Sequence, residues 1–82
     1  MNWISCKDHL PTEEKQYLIT QVCFGHRMAS IAYWSNNLYK TSRIDFYDMD
    51  NKSGFWDSDP EWGKYQVGNV VAWCEIEPYE GE

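Results

Sequence analysis

The chain has 82 residues, 43% hydrophobic and 24% charged, a composition for one small globular domain and not for a disordered segment. Thirteen acids against seven bases give a formal charge of −6, which disfavours duplex DNA or RNA as a partner, because phosphate binding runs on Lys and Arg. Aromatic residues make up 17% (Trp 5, Tyr 6, Phe 3), more than so short a chain can hide, so some are expected at the surface.

In chain order, the opening "NWISCKDHLP" sets Trp3 and Ile4 as a short strand or extended arm docked on a sheet, and Pro11 breaks the chain after it. Thr12-Glu13-Glu14-Lys15 allows a single helical turn capped by Thr12. "YLITQVCF" (Tyr17–Phe24) and "MASIAYW" (Met28–Trp34) are rich in β-branched and aromatic residues, and Gly25-His26 offers the turn of a hairpin between them. Ser35–Asn37 reads as a second turn and "LYKTS" (Leu38–Ser42) as a third strand, completing a meander. A strand over Ile44–Tyr47 keeps only part of the required alternation. Asp48–Gly54 and Asp57–Lys64 read as loops, with Phe55-Trp56 between them. The last strand covers Asn69–Glu77, where Val70, Ala72, Cys74 and Ile76 form the cleaner apolar face; Pro78 and an acidic tail end it. The fold expected is mainly β, or α+β with at most one short helical turn. It is a small antiparallel sheet of about five strands, curled or barrel-like to protect its edges, in one domain over residues 1–82.

Cys6, Cys23 and Cys74 are odd in number and lack C-x-x-C spacing, so no disulfide framework is expected; Cys23 and Cys74 read as small buried hydrophobes. No secretory h-region and no apolar run of about 18 residues is present, which places the chain in the reducing cytoplasm with no membrane contact.

No metal or cofactor is expected. "DMDNKSG" from Asp48 fails as a calcium loop, since its fifth, sixth and twelfth positions are Lys52, Ser53 and Asp59. The two histidines and three cysteines are scattered singly. Nor is catalysis expected. Cys6 stands three residues from His9 with nothing to stabilise a thiolate, and there is neither a glycine-rich phosphate loop nor a nucleophile elbow.

"W-I-S-x-x-D-x-L-P" near the start (Trp3, Ile4, Ser5, Asp8, Leu10, Pro11) resembles the opening of a small bacterial and phage family, domain of unknown function 551. Gly54-Phe55-Trp56 resembles that family's central Gly-x-Trp strand. Val70-Val71-Ala72-Trp73 through Pro78 is similar to its final strand, with Ala72 in place of a histidine and Glu75 and Glu77 in place of prolines. The resemblance implies a phage or prophage setting in a bacterial host and supplies no activity.

The residues themselves favour ligand binding. Trp34, Tyr39, Phe55, Trp56 and Trp62 crowd the middle of the chain beside Lys40 and Arg43. Aromatic faces stack a base for roughly 1–3 kcal/mol each, and Arg grips phosphate bidentately. The leading expectation is a non-catalytic phage-type protein that sequesters a nucleotide-derived signal in counter-defence, as a homo-oligomer with its pocket at a subunit interface. Trp34 has an alternative place in the core. A second reading makes the acidic residues Asp48, Asp50, Asp57 and Asp59 a nucleic-acid mimic that binds a host nuclease or defence protein. A third is an accessory protein with no ligand.

Overall fold

A computed structural model describes residues 2–45 and 52–77. It contains β1 (Ile4–Ser5), β2 (Gln16–Cys23), β3 (His26–Ser35), β4 (Gly54–Asp59), β5 (Gly63–Gln66) and β6 (Val70–Glu75). They form one antiparallel sheet in the order β1-β6-β2-β3-β4-β5. The mainly β, antiparallel class is as expected, but among the described residues the strands are six and the sheet is open, because β1 and β5 end it without pairing to each other.

The central strands lie where β-branched and aromatic residues concentrate. Register then sorts their side chains by face. Tyr17 pairs with Ala32, Ile19 with Trp73, and Trp34 with Phe55. These six side chains are the buried core, with Ile4, Cys6, Val67 and Val70 packed against them. Val70 joins Trp73 on this face because the register shifts between Thr20 and Gln21 opposite it, next to Asn69 at φ 57. That bulge breaks the simple alternation expected for the last strand and places Ala72 and Cys74 on the other face.

β1 and β2 flank β6 and both run antiparallel to it, so the chain between them must cross β6. It does so over the core face. Trp73 Nε1 donates to the His9 carbonyl at 3.0 Å, Tyr17 Oη to that of Glu13 at 3.0 Å, and Asn36 Nδ2 to that of Thr12 at 3.0 Å. Pro11 is buried beneath this crossing. The helical turn expected at Thr12–Lys15 is absent; the tight turn comes earlier, where Asp8 N and His9 N both donate to the Ser5 carbonyl. Trp3 is 39% exposed, so the opening stretch is buried more fully at Ile4 and Pro11 than at its tryptophan.

Two further expectations are corrected. Leu38–Ser42 is a single wide helical turn, not a strand: Asn37 Oδ1 caps it by accepting from Lys40 N at 3.1 Å, and Arg43 closes it in the left-handed region at φ 56. The supposed loop Asp57–Lys64 holds most of the β4–β5 hairpin, whose turn is fixed by Asp59 Oδ1 accepting from Glu61 N and Trp62 N. Cys74 is buried as expected, whereas Cys23 is exposed, because it closes β2 at the hairpin turn. Ile44 and Asp45 carry no strand; Phe46 and Tyr47, along with Asp48, Asp50 and the tail from Pro78, lie outside the described residues.

Candidate functional site

The face opposite the core carries exposed and half-buried apolar and aromatic side chains. Its strand positions are Leu18 and Thr20 on β2, Ala29, Ile31 and Tyr33 on β3, Trp56 and Ser58 on β4, Lys64 and Gln66 on β5, and Ala72 and Cys74 on β6. An antiparallel sheet with one wet face ordinarily puts polar residues there. This one instead carries a continuous apolar track. Cys74 pairs with Leu18 and Leu18 with Ile31; Tyr33 follows Ile31 on the same strand face and pairs with Trp56. The crossing segment covers the other face, so Ile31 remains half exposed.

At the end of this track Tyr33 and Trp56 stack, ring centroids 4.6 Å apart and planes 20° from parallel. Tyr33 reaches the indole from the strand on one side. Lys64 reaches it from the strand on the other, its Nζ 5.1 Å from the ring centroid. Trp56 Nε1 is buried and has no hydrogen-bond partner among the described residues. A buried donor left unpaired costs about 1–3 kcal/mol.

The helical turn borders the same place. Leu38 is fully buried, and its Cδ1 lies 3.1 Å from where a Cβ would stand on Gly54, which is two residues before Trp56 on that strand face. The turn carries Tyr39 and Lys40, both exposed, and ends at exposed Arg43. Trp62 stands in the β4–β5 turn with 85% of its surface exposed. Of the residues singled out from the sequence, Trp56 is on the outer face, while Tyr39, Lys40 and Arg43 are exposed on or just after the turn whose Leu38 packs by Gly54. Trp34 is not with them. It is buried on the core face, its Nε1 bonded to Asn36 Oδ1 at 2.8 Å.

Asp57 and Asp59 alternate with Trp56 and Ser58 and share the side of Phe55. Each has an oxygen engaged by backbone N–H groups: Asp57 by Ser58, Asp59 by Glu61 and Trp62.

Sequence reasoning missed Tyr33 and Lys64. The signal for Tyr33 was present: strict alternation in "SIAYW" puts Tyr33 and Trp34 on opposite faces, so both could not serve one purpose. Lys64 gave none, since it stood at the end of a stretch that read as loop.

A groove of about 500 Å³ lies at the far end, lined by Asn2, Ile4, Leu18, Cys74, Glu75, Ile76 and Glu77. Its carboxylates repel anions, which separates it from the aromatic–lysine end. Among the described residues, no group of three His, Cys, Asp or Glu side chains could hold a metal ion, and no helix is long and apolar enough to cross a membrane.

A family model described as "Protein of unknown function (DUF551)" matches residues 2–77. No curated protein and no solved structure matches the chain.

Proposed function

We propose, for a chain that belongs to the DUF551 family of proteins of unknown function, that it is a non-catalytic binding protein which sequesters a flat anionic ligand of the nucleotide type on its outer sheet face. The observation that carries the reading is the Tyr33–Trp56–Lys64 stack with its unpartnered indole N–H. Energetics favour an exchange at this place. The Lys64 ammonium over this half-buried ring is worth about 0.5–2 kcal/mol, whereas a stacked base is worth roughly 1–3 kcal/mol. A ligand that displaces Lys64 gains the ring and frees the ammonium to meet its phosphate. Lys40 and Arg43, on the bordering turn, add the remaining positive charge. The role in counter-defence rests on the phage-type resemblance of Trp3–Pro11 and on no geometric feature.

The acidic-mimic alternative has less support. Asp57 and Asp59 each accept from backbone N–H groups on the other side of β4, and Asp48 and Asp50 lie outside the described residues.

The test is calorimetry with a panel of nucleoside monophosphates and cyclic mono- and dinucleotides. At least one is expected to bind and to quench tryptophan fluorescence. Trp56→Ala should weaken that ligand about 5- to 150-fold, the loss of one stacking surface, and Lys64→Gln should weaken it less. A panel without a binder, or binding that survives Trp56→Ala at full strength, overturns the reading.

A further inference from the structure

Among the described residues, β6 is matched further along one side than along the other. Its pairing with β2 reaches Glu75, but on the other side β1 covers only Ala72 and Trp73. Cys6 N donates to the Val71 carbonyl at 3.0 Å, which makes Ile4–Trp73 the next hydrogen-bonded pair of that ladder. By the same alternation Glu75 turns its backbone N–H and carbonyl toward β1. β1 begins only at Ile4, and Asn2, the residue that would meet Glu75, is in no strand. Asn2 and Glu75 both line the groove of about 500 Å³, so this gap in the ladder is where the groove lies. Its walls divide by chemistry. Ile4, Leu18, Cys74 and Ile76 are apolar, with Cys74 buried and Ile76 37% exposed. The Glu75 carboxylate is held by Lys15 Nζ at 2.6 Å, whereas that of Glu77 has no partner among the described residues.

We infer that this groove binds a small organic cation, a protonated primary amine on a hydrocarbon body. Charge and hydrogen bonding select the head. An ammonium has three donors and no acceptor, and the groove offers it the unpaired Glu77 carboxylate and the unmatched Glu75 carbonyl. Anions meet two carboxylates and are repelled. The apolar walls select the body, since a hydrocarbon covers Leu18, Cys74 and Ile76 where a bare metal ion would need oxygen ligands. Size agrees, because small-molecule sites run from about 300 to 1,000 Å³. A peptide laid on as an added strand fits less well. β6 ends at Glu75, so such a strand would find a single open backbone pair to bond. The site stands apart from the Tyr33–Trp56–Lys64 stack, at the other end of the sheet and of opposite charge preference.

The test is methyl NMR of the whole chain at neutral pH with hexylamine as the probe, and with hexanol and hexanoate as head-group controls. Hexylamine should shift the Ile4, Leu18 and Ile76 methyls saturably. Hexanol should bind about three- to tenfold more weakly, the loss of one charge-assisted contact, and hexanoate should not bind detectably. Glu77 is exposed and follows the last strand, so Glu77→Gln should melt like the parent. That variant should bind hexylamine no better than the parent binds hexanol. Trp56→Ala should leave hexylamine binding unchanged, which tells failure at the aromatic stack from failure here. The inference is overturned if no saturable shift appears up to the solubility of hexylamine, or if the three heads bind alike. A preference for the amine that survives Glu77→Gln also overturns it, as do shifts centred on Tyr33 and Trp56.

Discussion

Trp3 and Trp73 show how differently one residue type is used in this chain. Trp73 is buried between β1 and β2, meets His9 and Tyr17 edge to face, and spends its indole N–H on the His9 carbonyl. Trp73→Ala should therefore cost about 3–5 kcal/mol, the range for emptying a buried large aromatic site. Trp3, 39% exposed with no such bond among the described contacts, should lose less than Trp73 does on the same change. Paired thermal melts check both, and equal losses would show that the opening stretch docks through its tryptophan after all. Glu14 is the other residue whose role is specific. Its carboxylate accepts from Asn36 N at 2.9 Å, Thr41 Oγ1 at 2.9 Å and Ser35 Oγ at 3.3 Å, tying the crossing segment to the helical turn. Those donors, the Asn36 N–H first and the Thr41 hydroxyl next, hold its pKa below the ordinary glutamate value. A carboxyl lowered by folding adds stability above its unfolded value, about 4.3, and loses it as pH falls through the folded one. Glu14→Gln should thus melt lower than the parent at pH 7, with the gap closing between about pH 5 and pH 3. A gap that stays constant across that window would mean that the carboxylate charge is not what holds the turn.

How far each element could be read from sequence depended on whether its residues or its neighbours decide it. β2, β3 and β6 were legible because runs such as Tyr17–Val22 and Val70–Trp73 suit a half-buried pleat wherever they stand. Leu38–Ser42 was not: its alternation looks strand-like, and only the Asn37 cap, the Arg43 left-handed turn and the bond from Leu38 N to the Lys52 carbonyl make it helical. The β4–β5 hairpin was hidden because Asp57, Ser58 and Asp59 are poor strand formers, held in place by pairing with Gly63–Tyr65. The face proposed for binding was half legible, since Trp56 stands out in any reading while Tyr33 and Lys64 become its neighbours only through register. Gly54 belongs to the same lesson. A Cβ there would lie 3.0 Å from Gln66 Nε2 and 3.1 Å from Leu38 Cδ1. Gln66 is exposed and can swing away, but Leu38 is fully buried, so Leu38 decides the outcome. Gly54→Ala should cost about 1–3 kcal/mol by overpacking, and Leu38→Ala in the same chain should recover part of the glycine penalty. Simple additivity of the two losses would separate the helical turn from β4.

Across the whole molecule, the three cysteines measure how cooperatively one open sheet holds together. Cys23 is exposed at the end of β2, Cys6 is half buried in the turn after β1, and Cys74 is buried in β6 with a hydrogen-bonded strand on either side. Burial raises the thiol pKa of both Cys6 and Cys74, so each carries less thiolate than a free cysteine at neutral pH. Alkylation of the native chain should therefore proceed in a fixed order. Cys23 reacts at once. Cys6 follows, needing only a local opening of the crossing segment. Cys74 waits for separation of β6 from β2, which also breaks the pairing of Ile19 with Trp73 and so the core itself. In a domain stabilised by about 5–10 kcal/mol that opening is the global one, and Cys74 should label at least about 10³-fold more slowly than Cys23. Its rate should rise with urea along the same slope as the unfolding transition, whereas that of Cys23 should not change. If Cys74 instead labels at the pace of Cys6, β1 and β6 come away together while β2–β5 stay folded. The groove lined by Leu18, Ile4 and Cys74 would then open without loss of the Tyr33–Trp56 stack, making the two ends of the sheet separate units of stability.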